Sequence, residues 1–151
     1  MRYPLIALFT LFVLGCSKPA PTAKPTHDPH DVPITKADVK MPANFGELVT
    51  LIEGYNQQIK TAIASGKPET GHRALDELDI VLEETMTLAK SSVAEDQMAT
   101  VNEARQAIKN AFLELHQSID AKEKPDYAAK EQAIQKAIDD LKRVAATTPA
   151  K

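Results

Sequence analysis

Two histidines, His72 and His116, carry the side chains of this chain that are best suited to bind a ligand. Imidazole nitrogens coordinate zinc and copper, and they also serve as axial ligands of haem. Carboxylates such as those of Glu69, Asp76 and Asp120 could complete a site of this kind. The alternative is that both histidines are half-exposed surface residues. We expect no cofactor, with Cu, Zn or haem as the alternative.

The positions of the two histidines along the predicted helices determine whether they can meet. A turn near Val93 separates two helical segments, and the histidines lie 21 residues before it and 23 residues after it. If the two segments run antiparallel, a rise of about 1.5 Å per residue places the two histidines at the same height along the helix axes to within roughly 3 Å. At about 100° per residue, His116 lies about 70° and His72 about 120° from the centre of its own apolar stripe. These angles place both at the rim of the core and favour the surface interpretation.

Three methionines form a second candidate group. Met41 precedes the first predicted helix, Met86 lies near the end of the second and Met98 lies early in the third. An up-down arrangement of the helices brings all three towards one end, where their thioethers could bind Cu(I). Methionine also fills irregular gaps in apolar cores, and we favour this packing role.

A sequence rich in histidine and aspartate, His27-Asp28-Pro29-His30-Asp31, lies nearer the N-terminus. It could chelate a divalent ion weakly, but ordering a flexible segment costs conformational entropy. We interpret it as a solvated linker.

Acidic residues also occur in adjacent pairs, among them Asp76-Glu77, Glu83-Glu84 and Asp139-Asp140. They fall on the polar faces of the predicted helices, interleaved with lysine and arginine. A carboxyl group that acts as a general acid needs a raised pKa inside a cleft. The sequence also has no Gly-rich phosphate loop. We predict that the protein is not an enzyme.

From Asn44 onward, apolar residues recur at intervals of three and four, as on amphipathic helices. Asn44 and Glu47 are a predicted capping pair, and Ser65-Gly66 ends the first helix. The main stripe residues of the four predicted helices are, in order, Phe45, Leu48, Val49, Ile52, Tyr55, Ile59 and Ile63; Leu75, Leu78, Val81, Leu82, Thr85, Leu88 and Ala89; Val101, Ala104, Ile108, Ala111, Phe112, Leu115 and Ile119; and Tyr127, Ile134, Ala137, Ile138, Leu141 and Val144. The pattern predicts an all-α fold, an antiparallel up-down-up-down four-helix bundle over residues 44–147, with 148–151 as a disordered tail.

In architecture the four predicted helices resemble the small periplasmic four-helix bundles typified by cytochromes b562 and c′. The resemblance covers the helices and involves no shared motif. The sequence has no Cys-x-x-Cys-His haem-attachment motif, and its fourth predicted helix has no histidine to oppose Met41. Haem binding of the b562 kind is therefore not the favoured interpretation.

The N-terminus has the form of a signal sequence. An apolar stretch from Leu5 to Leu14 follows Arg2. Its length is about ten residues, which is too short for the ~20 residues of a membrane-spanning helix but typical of a signal peptide. Gly15 and the only cysteine of the chain, Cys16, close this stretch.

This pattern resembles the bacterial lipoprotein signal, with Val13 and Gly15 before Cys16. The resemblance implies removal of residues 1–15 and acylation of the Cys16 thiol. It therefore implies that the protein is anchored to a lipid bilayer in the cell envelope. Ser17 in place of aspartate favours the outer membrane, facing the periplasm.

Residues 16–43 contain six prolines and are predicted to form a lipidated, disordered tether. The formal net charge of the chain is −3, and the absence of a basic face argues against nucleic acid as a partner. The favoured interpretation is a non-enzymatic, membrane-anchored envelope lipoprotein. In this interpretation the helical domain binds an envelope protein or has a structural role in the envelope. The alternative is a periplasmic protein that binds metal or haem.

Overall fold

Five α-helices make up most of residues 33–148, the region that the computed structural model describes. The helices are α1 (Phe45–Ala64), α2 (His72–Glu83), α3 (Thr85–Ser92), α4 (Met98–Asp120) and α5 (Tyr127–Thr147). No strand occurs within residues 33–148, which confirms the all-α prediction for this part of the chain. None of these helices is long and apolar enough to cross a lipid bilayer. The predictions for Cys16, the signal sequence and the segment His27-Asp28-Pro29-His30-Asp31 lie outside the described residues.

The helices share one apolar core. Helix α1 packs against α2, α3 and α5, and α4 packs against the same three helices. The side chains at the centre of this core come from the predicted stripes, and the largest of them are Phe45, Leu48, Ile52, Ile59, Leu78, Val81, Leu82, Ile108, Leu115, Ile134, Ile138 and Leu141. The spacing of apolar residues therefore identified the buried face of each helix correctly.

The predicted capping pair at the start of α1 is confirmed. Asn44 Oδ1 accepts a hydrogen bond of 2.9 Å from the Glu47 backbone N–H. The Glu47 carboxylate in turn accepts from the Ala43 backbone N–H at 2.9 Å. This reciprocal pairing satisfies donors that the first turn of a helix leaves without partners. At the other end, Gly66 has a φ of 74° and turns the chain out of α1, as predicted.

The second predicted helix differs from the structure because it is divided into α2 and α3 at Glu84. The Glu84 backbone N–H bonds to the Val81 carbonyl at 3.1 Å, three residues back, which tightens the turn and interrupts the helix. Arg105 of α4 donates from Nε to the Leu82 carbonyl at 2.9 Å, beside this break. Before α2, Pro68–Gly71 forms a 3₁₀ turn, and α2 begins at His72.

Thr85, the first residue of α3, carries a buried hydroxyl group whose oxygen has no hydrogen-bond partner. An unpaired buried polar atom costs about 1–3 kcal/mol, whereas an apolar group of the same shape avoids that cost. We therefore expect Thr85→Val to raise the free energy of unfolding by roughly 1 kcal/mol. Urea denaturation followed by circular dichroism measures this change. Thr61→Val is the matched control, because the exposed Thr61 hydroxyl bonds the Gln57 carbonyl. A Thr85→Val protein less stable than the parent would contradict the expectation.

Residues 33–43, which we call the N-terminal strap, pack on the helices. The predicted tether extended to residue 43, so this boundary differs from the structure. Val39 is buried and Ile34 is partly buried against the core, while a short 3₁₀ helix spans Lys36–Asp38. Lys36 also forms an ion pair with Glu84 at the break between α2 and α3. The difference arises because prolines dominate the composition of the tether, although its last residues include apolar side chains that reach the core.

Candidate metal centre

The two histidines singled out in the sequence are in contact. His72 is the first residue of α2, and His116 lies in the last turns of α4. Their Nε2 atoms are 2.8 Å apart, with ring centroids separated by 4.4 Å and ring planes at 83°. The structure therefore adds a direct contact to the expectation that the two partly exposed histidines lie at the same level.

Gly71 helps to bring the start of α2 into this position. It is buried, and a Cβ atom built on it would lie 3.0 Å from the Cβ of Ala62 in α1. A larger residue would therefore press against α1. Glycine allows the chain to approach α1 closely immediately before His72.

Two carboxylates lie beside the imidazoles. Asp120 Oδ1 is 2.8 Å from His72 Nε2, and its other oxygen is 3.8 Å from His116 Nε2. Asp76 lies 3.7 Å from His116 Nε2 and 4.0 Å from His72 Nδ1. We call these four residues, His72, Asp76, His116 and Asp120, the His/Asp cluster. Glu69 is exposed in the preceding 3₁₀ turn and is not part of it.

One donor atom from each of His72, Asp76 and His116 lies within 4.8 Å of the other two. Their side chains are partly enclosed, with exposed fractions of 22%, 32% and 26%. Two imidazole nitrogens on a tetrahedral zinc ion, each at about 2.0–2.1 Å, stand about 3.3 Å apart. The two Nε2 atoms would thus need to separate by only about 0.5 Å to share such an ion.

The contact between the two rings also has a protonation requirement. Two nitrogen lone pairs facing each other at 2.8 Å would repel, so one of the two Nε2 atoms must carry a proton. A metal ion binds the unprotonated nitrogen of a neutral imidazole, so the ring that donates from Nε2 would have to carry its proton on Nδ1 before that Nε2 atom could bind an ion.

The sequence contains a signal for the cluster in its spacing. Each histidine is followed four residues later by aspartate, as His72-x-x-x-Asp76 and His116-x-x-x-Asp120. Residues four apart lie on the same face of a helix. The sequence-based prediction missed this duplicated spacing because it relied on His-x-x-x-His pairs as the signal of a metal site.

The three methionines lie on different elements of the fold. Met41 lies in the N-terminal strap, Met86 in α3 and Met98 at the start of α4. Each is partly buried and packs against the apolar core. These positions fit the packing role proposed for them.

Of the acidic pairs, Asp139-Asp140 has electrostatic surroundings unlike those of a general acid. A hydrogen bond from Lys136 and the charge of Arg143 hold the pKa of Asp140 below its ordinary value. Asp79, which follows the pair Asp76-Glu77, forms an ion pair with Lys109 at 3.1 Å. A lowered pKa keeps a carboxyl group ionised, which is the reverse of what proton donation near neutral pH requires.

Comparison with known proteins adds no identification. No protein-family model matches the sequence, and neither curated proteins nor solved structures show a match to it. The class that can be stated from the described residues is an all-α protein with a partly enclosed His/Asp cluster between two helices.

Proposed function

We propose that this protein is a non-enzymatic, lipid-anchored protein of the cell envelope whose helical domain binds a divalent transition metal ion. The observation that carries the proposal is the placement of His72, Asp76 and His116 with their donor atoms within 4.8 Å of one another. Imidazole and carboxylate are ligands that zinc accepts, and imidazole also suits copper and nickel.

In this proposal the two Nε2 atoms and one oxygen of Asp76 bind the ion. Asp120, whose oxygens lie 2.8 Å and 3.8 Å from these nitrogens, supplies a further oxygen from the solvent side. Two neutral imidazoles and two ionised carboxylates carry a combined charge of −2, which a divalent cation neutralises. Binding would thus relieve the mutual repulsion of Asp76 and Asp120 as well as form the metal–ligand bonds.

The site would join two helices within an antiparallel four-helix bundle, in which α2 and α3 together form the second helix. Contacts between α2 and α4 support this arrangement, because residue numbers rise along one helix as they fall along the other. The pairs are His72 with His116, Asp79 with Lys109 and Leu82 with Arg105. The ion would therefore link the beginning of α2 to the end of α4.

Metal binding is tested by equilibrium dialysis of the full-length protein, in detergent, against Zn²⁺. We expect one zinc ion per chain. Asp76→Asn should weaken binding by roughly 10-fold or more, since it removes a charged ligand. Asp79→Asn is the matched control, because Asp79 lies one turn away and pairs with Lys109. Failure of the protein to retain zinc, or equal losses in the two variants, would contradict the proposal.

Envelope anchoring rests on the resemblance of the N-terminus to a lipoprotein signal. We expect Cys16→Ser to abolish incorporation of radiolabelled palmitate and to shift the protein out of the membrane fraction, because the acylated thiol is then missing. The control variant combines Cys16→Ser with Ser17→Cys, which keeps one cysteine in the sequence but moves it one position away from the predicted cleavage point. Membrane association that is unchanged in Cys16→Ser would contradict lipid anchoring.

A further inference from the structure

A groove between α2 and α4 adjoins the His/Asp cluster. It has a volume of about 590 Å³, and His72, Asp76 and His116 contribute to its lining, whereas Asp120 does not. A volume of this size is within the range of sites that accept small organic molecules. A metal ion bound by the two imidazoles and Asp76 would therefore be accessible to a ligand that lies in the groove.

Beyond the cluster the groove has mainly apolar walls. Along α2 it extends from His72 to Leu82, a rise of about 15 Å. The other charged residues of its lining are Asp79 and Lys109, which pair with each other at 3.1 Å. The remaining described residues of the lining are apolar and include Leu75 of α2. The distance along the helix axis from His72 to the ion pair at Asp79 is about 10 Å. The groove thus has a metal-binding end followed by an apolar stretch of about this length.

Leu113 of α4 adds exposed apolar surface to the groove. Its side chain is 49% exposed, and it is the only exposed large apolar side chain within residues 33–148. A single exposed leucine is ordinary, but this one borders an apolar groove that adjoins a cluster of ligating side chains. Covering such a surface with the apolar part of a ligand would remove it from water, which favours binding.

We propose that this groove binds an aliphatic carboxylic acid of medium chain length, whose carboxylate coordinates the metal ion at His72, Asp76 and His116. This inference rests on the metal-binding function proposed above. Zinc accepts carboxylate oxygen atoms, and its sites can expand from four ligands to five. An extended chain of roughly eight carbon atoms matches the apolar stretch of about 10 Å.

Charge determines when such a ligand can bind. Without a metal ion, the ionised carboxylates of Asp76 and Asp120 repel a carboxylate at this end of the groove. A divalent cation cancels their combined charge and attracts the ligand. Asp79 and Lys109 form a neutral pair, so they add no net charge to the rest of the lining. The metal ion and the acid should therefore each raise the affinity for the other by the same factor.

The test is a titration of the cobalt-loaded full-length protein, in detergent, with octanoate, followed by the visible absorption of Co²⁺. We expect a saturable change in the spectrum, because the carboxylate enters the coordination shell of the ion. Butanoate has half as many carbon atoms and should bind roughly 100-fold more weakly, since each buried methylene group contributes a factor of about 4. Octylammonium has a chain of the same length and the opposite charge, and it should leave the spectrum unchanged.

Leu113→Asp tests whether the chain lies in the groove, because it places a negative charge beside the apolar walls. We expect this variant to weaken octanoate binding by roughly 10-fold and to bind Co²⁺ at least as tightly as the parent. Asn102→Asp is the matched control. It adds the same charge to α4 about three turns away, at an exposed residue outside the groove.

The outcomes separate this inference from the proposed function. Bound Co²⁺ whose spectrum does not respond to octanoate would overturn the inference while metal binding stands. Equal weakening in Leu113→Asp and Asn102→Asp would do the same. Octanoate that binds equally well after removal of the ion, measured by equilibrium dialysis of the radiolabelled acid, would also contradict coordination to the metal. A protein that binds neither Co²⁺ nor Zn²⁺ would instead overturn the proposed function.

Discussion

Zinc is expected to raise the free energy of unfolding by about 2.7 kcal/mol when its free concentration is 100-fold above the dissociation constant. The gain arises because the two imidazoles and Asp76 lie within 4.8 Å of one another only in the folded chain. An ion bound there stabilises the folded state and has little affinity for the unfolded one. Urea denaturation of the full-length protein, with zinc or with excess chelator, measures the difference.

The same experiment with His116→Ala identifies the site responsible. The side chain of His116 is partly exposed and bonds to His72, so its removal should change the stability of the metal-free protein by no more than about 1.5 kcal/mol. The stabilisation by zinc should nevertheless be lost. Zinc stabilisation that persists in His116→Ala would show that the ion binds elsewhere and would contradict the assignment.

Leu141→Ala is expected to destabilise the protein by about 2–5 kcal/mol, the largest effect of a single substitution predicted for this chain. Leu141 of α5 is 0% exposed, within the apolar core that the helices share. Truncation removes buried methyl groups and leaves a cavity that the neighbouring helices can fill only in part. Thermal or urea unfolding followed by circular dichroism measures the loss.

Leu113→Ala provides a matched control because it deletes the same atoms from a side chain that is 49% exposed. Surface substitutions of this kind change stability by about 0.5 kcal/mol or less. A difference between the two variants of less than about 1 kcal/mol would contradict the burial of Leu141 in the core.

Much of the fold was predictable because it depends on the local periodicity of apolar residues. Each helix buries one face, and a repeat of three and four residues identifies that face without knowledge of its partners. The capping pair at Asn44 and the turn at Gly66 were predictable for the same reason, since their signals are confined to a few neighbouring residues. The division of the second helix was not predictable in this way, and the hydrogen bond beside the break, from Arg105 to the Leu82 carbonyl, joins residues 23 apart in sequence.

The candidate site was predictable only in part. The rise per residue of an α-helix was enough to predict that His72 and His116 lie at the same height along the helix axes. Their contact was not predictable in this way, because the angle from the centre of an apolar stripe gives the face of the helix on which a residue lies and not the reach of its side chain. Contact also depends on side-chain conformation and on the close approach of α2 to α1 at Gly71, neither of which periodicity can reveal.

Metal binding by the two histidines is tested most directly by X-ray absorption at the zinc edge of the full-length protein loaded with one equivalent of zinc. We expect a first shell of nitrogen and oxygen atoms at about 2.0–2.2 Å and the outer-shell scattering of at least two imidazole rings. The imidazole signal should decrease in both His72→Ala and His116→Ala. A shell without imidazole scattering, or one that is identical in these variants, would contradict the proposal that the contact between the two histidines is a metal-binding site.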